Sequence, residues 1–267
     1  MTPYRIIFCD IDGTLLDSKQ LVRPKTKMMI RRLSGQGIPF VLISGRMSPS
    51  VEQIQQKIGF KAPYIAYGGA LIHDMDGQTV WNKAMPVCEA VKLRRRIHSL
   101  FPDIISYTFS GNSWITDKDD GTAALYLEKE TTALRPLVGQ PEDVLKENDC
   151  VHKVLCTGDP AVMDELQNIL RREFPDCAIF KSLPRYLEIM SAKASKSKAA
   201  DFLCRSLGLN AENVIAFGDN FNDIDLLEYA GLGVAMDNAP DAVKNRADLT
   251  APSHDEEGVR QILEQFF

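Results

Sequence analysis

The pentapeptide Asp10-Ile11-Asp12-Gly13-Thr14 constrains this chain more than any other stretch. It follows the apolar run Ile6-Ile7-Phe8-Cys9 directly, at what reads as the C-terminal tip of a first strand. Two carboxylates at i and i+2 on a strand leave the same face. Here they leave it where the chain turns on Gly13, at the edge where parallel α/β sheets gather their ligands. Like charges held close push their pKa values apart, so such a pair can supply one nucleophile or metal ligand and one acid or base. The same five residues also read as a plain Asp-Gly turn, and the pentapeptide alone leaves both readings open.

The chain around it is organised as alternating strands and helices. Pro24 to Leu33 is helical, with Pro24 suited to the first turn and Gly35 and Gly37 marking the end. A second apolar strand, Pro39 to Ile43, ends in Ser44-Gly45-Arg46 and leads into a helix through Val51, Ile54 and Ile58. Tyr64 to Tyr67 continues the series, Gly68-Gly69 breaks it, and Leu71 to Trp81 alternates as a hairpin around Asp76-Gly77. This β-α-β-α-β order predicts a parallel sheet covered by helices. From about Lys83 the texture changes to an α+β section, with irregular stretches expected over Ser110 to Gly121 and Pro136 to Asn148. Parallel texture resumes near residue 188, with strands at Val214 to Phe217 and Leu232 to Ala235 and a closing helix over Glu256 to Phe266. The expected organisation is an α/β core of residues 1–82 and 188–267, with residues 83–187 inserted into it.

Composition narrows the partners. With 31 basic against 36 acidic residues and a net charge of −5, the chain carries no basic footprint for nucleic acid or an anionic membrane. Arg94-Arg95-Arg96 reads as a solvated helix face. No stretch reaches the roughly 20 apolar residues of a membrane span, and no targeting segment precedes the first strand. The 6 cysteines are scattered without a C-x-x-C pair and read as reduced thiols of a cytoplasmic protein. The 4 histidines show no metal-ligand spacing, so any metal is expected to be oxygen-bound.

A second acidic cluster stands at the end of the strand Val214 to Phe217, in Gly218-Asp219-Asn220-Phe221-Asn222-Asp223. Hard oxygen ligands of this kind suit Mg²⁺; capping of the next helix by Asn222 or Asp223 is the competing reading. Two independent acidic clusters at strand tips of one sheet favour a site over two unrelated turns. Lys196 opens a helix just after the inserted section, where the helix dipole disfavours a cation. Spacing alone does not choose among Lys193, Lys196 and Lys198.

Taken in order, Asp10-x-Asp12-Gly13-Thr14, Ser44, the lysine and Gly218-Asp219-x-x-Asn222-Asp223 resemble the four motifs of the haloacid dehalogenase superfamily. The Ser44-Gly45-Arg46 form and the position of the insertion resemble in particular the Cof-type phosphatases with a C2-type cap. The resemblance covers essentially the whole chain and implies a Rossmann-like core with an inserted cap domain. It favours Lys196 over Lys198, since Lys196-Ser197-Lys198-Ala199 aligns with a Lys-Gly-x-Ala pattern.

Carried over residue by residue, the resemblance implies that Asp10 attacks phosphorus to form an aspartyl phosphate and that Asp12 serves as acid and base. Mg²⁺ would be held by Asp10, the Asp12 carbonyl and Asp219, with Asp223 on or beside the metal. Ser44 and Lys196 would bind the phosphoryl oxygens, with Thr14, Gly45, Arg46 and Asn222 as further phosphate-binding candidates. Two departures concern substrate contacts: Gly68-Gly69-Ala70 stands where Asn-Gly-Ala is common, and Ser197 stands where Gly is common. The expected activity is Mg²⁺-dependent hydrolysis of small phosphorylated metabolites, sugar phosphates foremost, by a monomer or small homo-oligomer. The alternatives are a phosphomutase of the same superfamily and a non-enzymatic module that binds phosphorylated metabolites.

Overall fold

A computed structural model describes residues 3–118 and 134–267. Its first strand, β1 (Ile6–Cys9), is buried at every residue, as an all-apolar tetrapeptide in a parallel sheet must be. Helix α1 (Pro24–Gly35) opens on a proline, whose missing N–H would have had no helical partner there. Next come β2 (Phe40–Ile43), α2 (Ser48–Ile58), β3 (Tyr64–Ala66), β4 (Leu71–His73) and β5 (Thr79–Asn82).

The section that follows contains β6 (Met85–Pro86), α3 (Val87–Leu100), β7 (Ile105–Ser110), β8 (Ser113–Thr116), β9 (Leu137–Val138), α4 (Pro141–Val144), β10 (Cys150–Val151), β11 (Lys153–Thr157), α5 (Pro160–Glu173), β12 (Cys177–Leu183) and β13 (Tyr186–Ser191). The chain then forms α6 (Lys196–Ser206), β14 (Val214–Gly218), α7 (Ile224–Tyr229), β15 (Leu232–Met236), α8 (Asp241–Lys244), β16 (Leu249–Ala251) and α9 (Gly258–Phe266). No helix among the described residues is long and apolar enough to cross a membrane.

These elements form two compact units. One comprises Met1–Arg46, Val51–Trp81 and Ser195–Phe267; the other comprises Met47–Ser50 and Asn82–Ala194. The first is built on an 8-stranded sheet in the order β16-β15-β14-β1-β2-β3-β4-β5. From β16 through to β3 neighbouring strands run parallel, and β4 turns back antiparallel to β3. Ile6, Phe8, Val41 and Ile43 point to one face, where they pack with Ala199, Ala200, Leu203 and Cys204 of α6. The alternate residues Ile7, Cys9, Phe40 and Leu42 are fully buried on the other face, so the whole strand is apolar rather than every second residue.

The pairing that matters for function is β1 with β14. Cys9 lies opposite Phe217, and the Asp10 N–H donates to the Phe217 carbonyl at 3.0 Å. Chain positions more than 200 residues apart therefore end at one sheet edge, which brings Asp10 beside Gly218-Asp219.

The second unit is built on a 6-stranded sheet, β12-β13-β11-β7-β8-β9, antiparallel except for the β8–β9 pair. α3 and α5 cover one face through Leu93, Ile97, Met163, Leu166 and Leu170, packed with Val154, Cys156 and Ile189. Two expectations are corrected here. The return to the first unit falls at Ser195 rather than 188, because β13 hydrogen-bonds to both β11 and β12. Within the stretch read as irregular, Ser113–Thr116 forms a strand, since Trp114 and Ile115 bury against β7; the part of that expectation covering 119–121 lies outside the described residues. Likewise β9 and α4 occupy part of the stretch over 136–148.

Candidate active site

Beyond β1 the chain cannot continue as a strand, because Gly13 takes φ +74°. That left-handed conformation favours glycine, and space enforces it as well: a Cβ on Gly13 would lie 2.3 Å from Asp219 Oδ2. The turn is pinned from outside by Asn238, whose side-chain amide donates to the Gly13 carbonyl at 2.8 Å. Thr14, next along, donates its hydroxyl to Asp219 Oδ1 at 2.8 Å. The first acidic cluster is thus held against the second by its own turn.

Asp10, Asp219 and Asp223 each present a carboxylate oxygen within 4.8 Å of the others. Lys196, the first residue of α6 and 2% exposed, places Nζ 2.5 Å from Asp10 Oδ1 and 2.5 Å from Asp223 Oδ1. The other oxygen of Asp223 accepts the backbone N–H groups of Asp219 and Asn220, at 3.0 and 2.9 Å. Gly218 must be glycine for this loop to close, since a Cβ there would lie 2.5 Å from the Asp223 Cβ. Lys193 and Lys198, the neighbours that spacing could not separate from Lys196, are exposed.

Three carboxylates around one ammonium leave an excess of buried negative charge, and the titration of the groups reflects it. Burial pushes the Asp10 carboxyl well above its ordinary value, with Asp223 and Asp219 adding to the rise and Lys196 opposing it. Burial, reinforced by Asp223, raises Asp219 to about 7, against the Thr14 hydrogen bond and Lys196. Burial works against the charge of Lys196, but Asp10 and Asp223 outweigh it and hold the ammonium above its usual range. A donor set made only of carboxylate oxygens, with more negative charge than one lysine neutralises, fits a hard divalent cation such as Mg²⁺.

Asp12 stands apart from this cluster. Its side chain is 49% exposed, and both oxygens are gripped by the buried guanidinium of Arg46, with Nε 2.7 Å from Oδ2 and a terminal nitrogen 2.5 Å from Oδ1. The same guanidinium donates to Gln20 Oε1 at 2.9 Å. Arg46 stays on this edge because its carbonyl accepts the Tyr67 N–H and its own N–H donates to Ser44 Oγ at 3.2 Å. Ser44 is buried just past the tip of β2, Gly45 is half-buried beside it, and Asn222 is exposed on the loop after β14. The structure therefore gathers Asp10, Thr14, Lys196, Asp219 and Asp223, and joins Arg46 to Asp12. Sequence reading did not single out Gln20 or Asn238, and their partners lie 26 and 225 residues away.

The family profile of haloacid dehalogenase-like hydrolases matches residues 7–263. A Haemophilus influenzae protein with a provisional phosphatase name is 30% identical over 264 residues, covering 99% of this chain and 98% of its own. The pyridoxal phosphate phosphatase YbhA of Escherichia coli is 28% identical, with 97% of each chain covered. Among solved structures, a Thermotoga maritima protein superposes with a TM-score of 0.88 at 30% identity, covering 99% of this chain and 98% of the other.

Proposed function

The chain belongs to the haloacid dehalogenase-like hydrolases and is a phosphatase, and from that premise we propose Mg²⁺-dependent hydrolysis of small phosphorylated metabolites through an aspartyl phosphate on Asp10. One observation carries the reading: a buried Asp10 at a strand tip, bridged by Lys196 and facing Asp219 and Asp223. In this reading Asp10, Asp219, Asp223 and the Asp12 carbonyl hold the metal, which when bound offsets charge on the phosphoryl oxygens.

The Asp10 carboxylate attacks phosphorus, the bond to the ester oxygen breaks, and Asp12 gives its proton to the departing alkoxide. Asp12 then takes a proton from water, whose oxygen attacks the aspartyl phosphate and releases inorganic phosphate and free Asp10. Both oxygens of Asp12 lie in the Arg46 fork, so this role requires the carboxylate to turn out of it. Lys196 opposes the protonation that burial favours on Asp10, and with Ser44 it binds the transferred phosphoryl group. Phosphoryl transfer depends mainly on positioning and charge, which a set this small can supply.

Sugar phosphates are the favoured substrates, and choice among them is assigned to the inserted unit. Pyridoxal phosphate joins the candidates because the Escherichia coli relative is named for it. The test is phosphate release from a panel of sugar, nucleotide and pyridoxal phosphates plus an aryl phosphate, with Mg²⁺ or EDTA. Release that needs Mg²⁺ and is lost in both Asp10→Asn and Asp12→Asn is the expected result. Transfer of phosphate between substrate hydroxyls without release would replace the hydrolase by the mutase. Binding of substrates with neither release nor transfer would leave the regulatory module.

A further inference from the structure

Lys196 is the first residue of its helix, and the first turn of a helix is where backbone N–H groups lack partners and fraying begins. A cation also sits badly there with respect to the helix dipole. Nevertheless its ammonium, on a stem of four methylenes, meets two carboxylates at hydrogen-bonding distance. Something must hold that turn, and Asp225 does so from the neighbouring helix α7.

A single oxygen of Asp225, Oδ2, accepts three hydrogen bonds from the start of α6: Ser195 Oγ at 2.6 Å, Ser197 Oγ at 2.8 Å and the Ser197 N–H at 3.1 Å. Ser195 in turn caps α6 by accepting the Lys198 N–H at 3.2 Å. Asp225 lies in the first turn of α7, yet the hydrogen bonds its Oδ2 accepts come from the other helix. It follows Asp223 by two residues, so the segment that offers Lys196 a carboxylate also grips the residues on either side of Lys196. Gly69 also closes on the same turn, where a Cβ would lie 2.2 Å from the Ser195 carbonyl oxygen. Its carbonyl is fixed by Trp81 Nε1 at 3.0 Å, and the Trp81 ring packs on Phe202 of α6 with centroids 4.8 Å apart.

We propose that Asp225 is a positioning residue for the reaction: through Ser195 and Ser197 it fixes the height and direction of the first turn of α6, and so places the Lys196 ammonium between Asp10 and Asp223. This rests on the phosphatase mechanism proposed above. The negative charge of Asp225 also offsets the unfavourable placement of a lysine at a helix N-terminus, since an anion there is favoured.

The test compares wild type, Asp225→Ala and Asp225→Asn on one aryl phosphate with Mg²⁺, reading kcat and KM separately, together with a crystal structure of the Ala variant. Wild-type turnover is measured first, because its absence overturns the mechanism itself, whatever Asp225 does. Given turnover, Asp225→Ala lowers kcat by about 10- to 100-fold, the range for a misplaced catalytic group, while KM moves less than about threefold. Asp225→Asn keeps one acceptor oxygen for all three donors and recovers most of the loss. In the Ala variant the Lys196 ammonium no longer bridges Asp10 and Asp223. An unchanged kcat, a loss confined to KM, or a crystal structure with the bridge intact overturns the proposal and leaves the phosphatase standing. Should Asp225→Ala not fold, the double variant Ser195→Ala/Ser197→Gly removes both hydroxyl donors and is read by the same outcomes.

Discussion

Buried charge is present in both units, but it is arranged differently. Among the described residues of the inserted unit, the buried cations Lys153 and Arg94 each face a separate carboxylate: Lys153 lies 3.6 Å from Glu188, and Arg94 lies 3.6 Å from Asp117. In the core unit Asp10, Asp219 and Asp223 crowd around Lys196 alone, at the mouth of a parallel sheet. Matched burial of this kind holds a structure together at little net gain. Unmatched burial raises the pKa of carboxylates and costs stability, so it persists where chemistry requires it. The lesson is to weigh the balance of buried charges as well as their number.

The sharpest way to break the contrast is to remove a member of each set and compare. Asp10→Asn lowers kcat on an aryl phosphate by about 10⁴-fold or more, as loss of a nucleophile does, measured by released phosphate. Lys196→Ala comes next, with a loss of about 10²- to 10³-fold in kcat. It also destabilises the protein by about 3–5 kcal/mol, because Asp10 and Asp223 are left buried without their cation; denaturant titration reads that change. Adding Asp10→Asn to Lys196→Ala restores part of the lost stability, and a further loss instead would contradict the charge-excess account.

A smaller effect lies in the pH dependence of the metal-free protein. The folded value of Asp219, about 7, lies above its ordinary 3.8, so the native state holds this proton more tightly than the unfolded chain does. That contribution to stability is fully present below about pH 4 and is lost as pH climbs through about 7. In EDTA, the thermal midpoint of Asp219→Asn therefore gains on wild type between pH 4 and 7, and the gap levels off above. Parallel curves would remove Asp219 from the unbalanced set. The smallest effect is expected in the other unit: Arg94→Met lowers the thermal midpoint by taking the guanidinium away from Asp117, yet leaves kcat on an aryl phosphate within about threefold of wild type.

Much of the core site was legible because strand tips can be read from sequence. An apolar tetrapeptide followed by Asp-x-Asp-Gly, and another followed by Gly-Asp, each point to the ligand edge of a parallel sheet, and the β1–β14 register brings them together. The choice of Lys196 over its neighbours needed the resemblance, since burial separates the three lysines and spacing does not. What stayed hidden depends on side chains that meet only after folding. Arg46 reads as one more phosphate-binding candidate until the fold sets its guanidinium against Asp12, 34 residues away. Asp225 reads as an ordinary acidic residue in a first turn until α6 lies beside it. The end of the insertion was misplaced because the alternation over Tyr186–Ser191 suits an edge of either sheet, and only its two hydrogen-bonded partners assign it.

The central strand of the core sheet has a consequence for the order of events during synthesis. β1 lies between β2, which emerges soon after it, and β14, which emerges only after the whole inserted section. At about 5–20 residues per second, on the order of ten to forty seconds separates the appearance of Asp10 from that of Asp219. Through that interval one edge of β1 has no neighbouring strand, while the sheet of the inserted unit, drawn entirely from Asn82–Ala194, can already close. Asp10 thus emerges well before Asp219 and Asp223 join it, and in between one edge of an apolar strand waits for its partner.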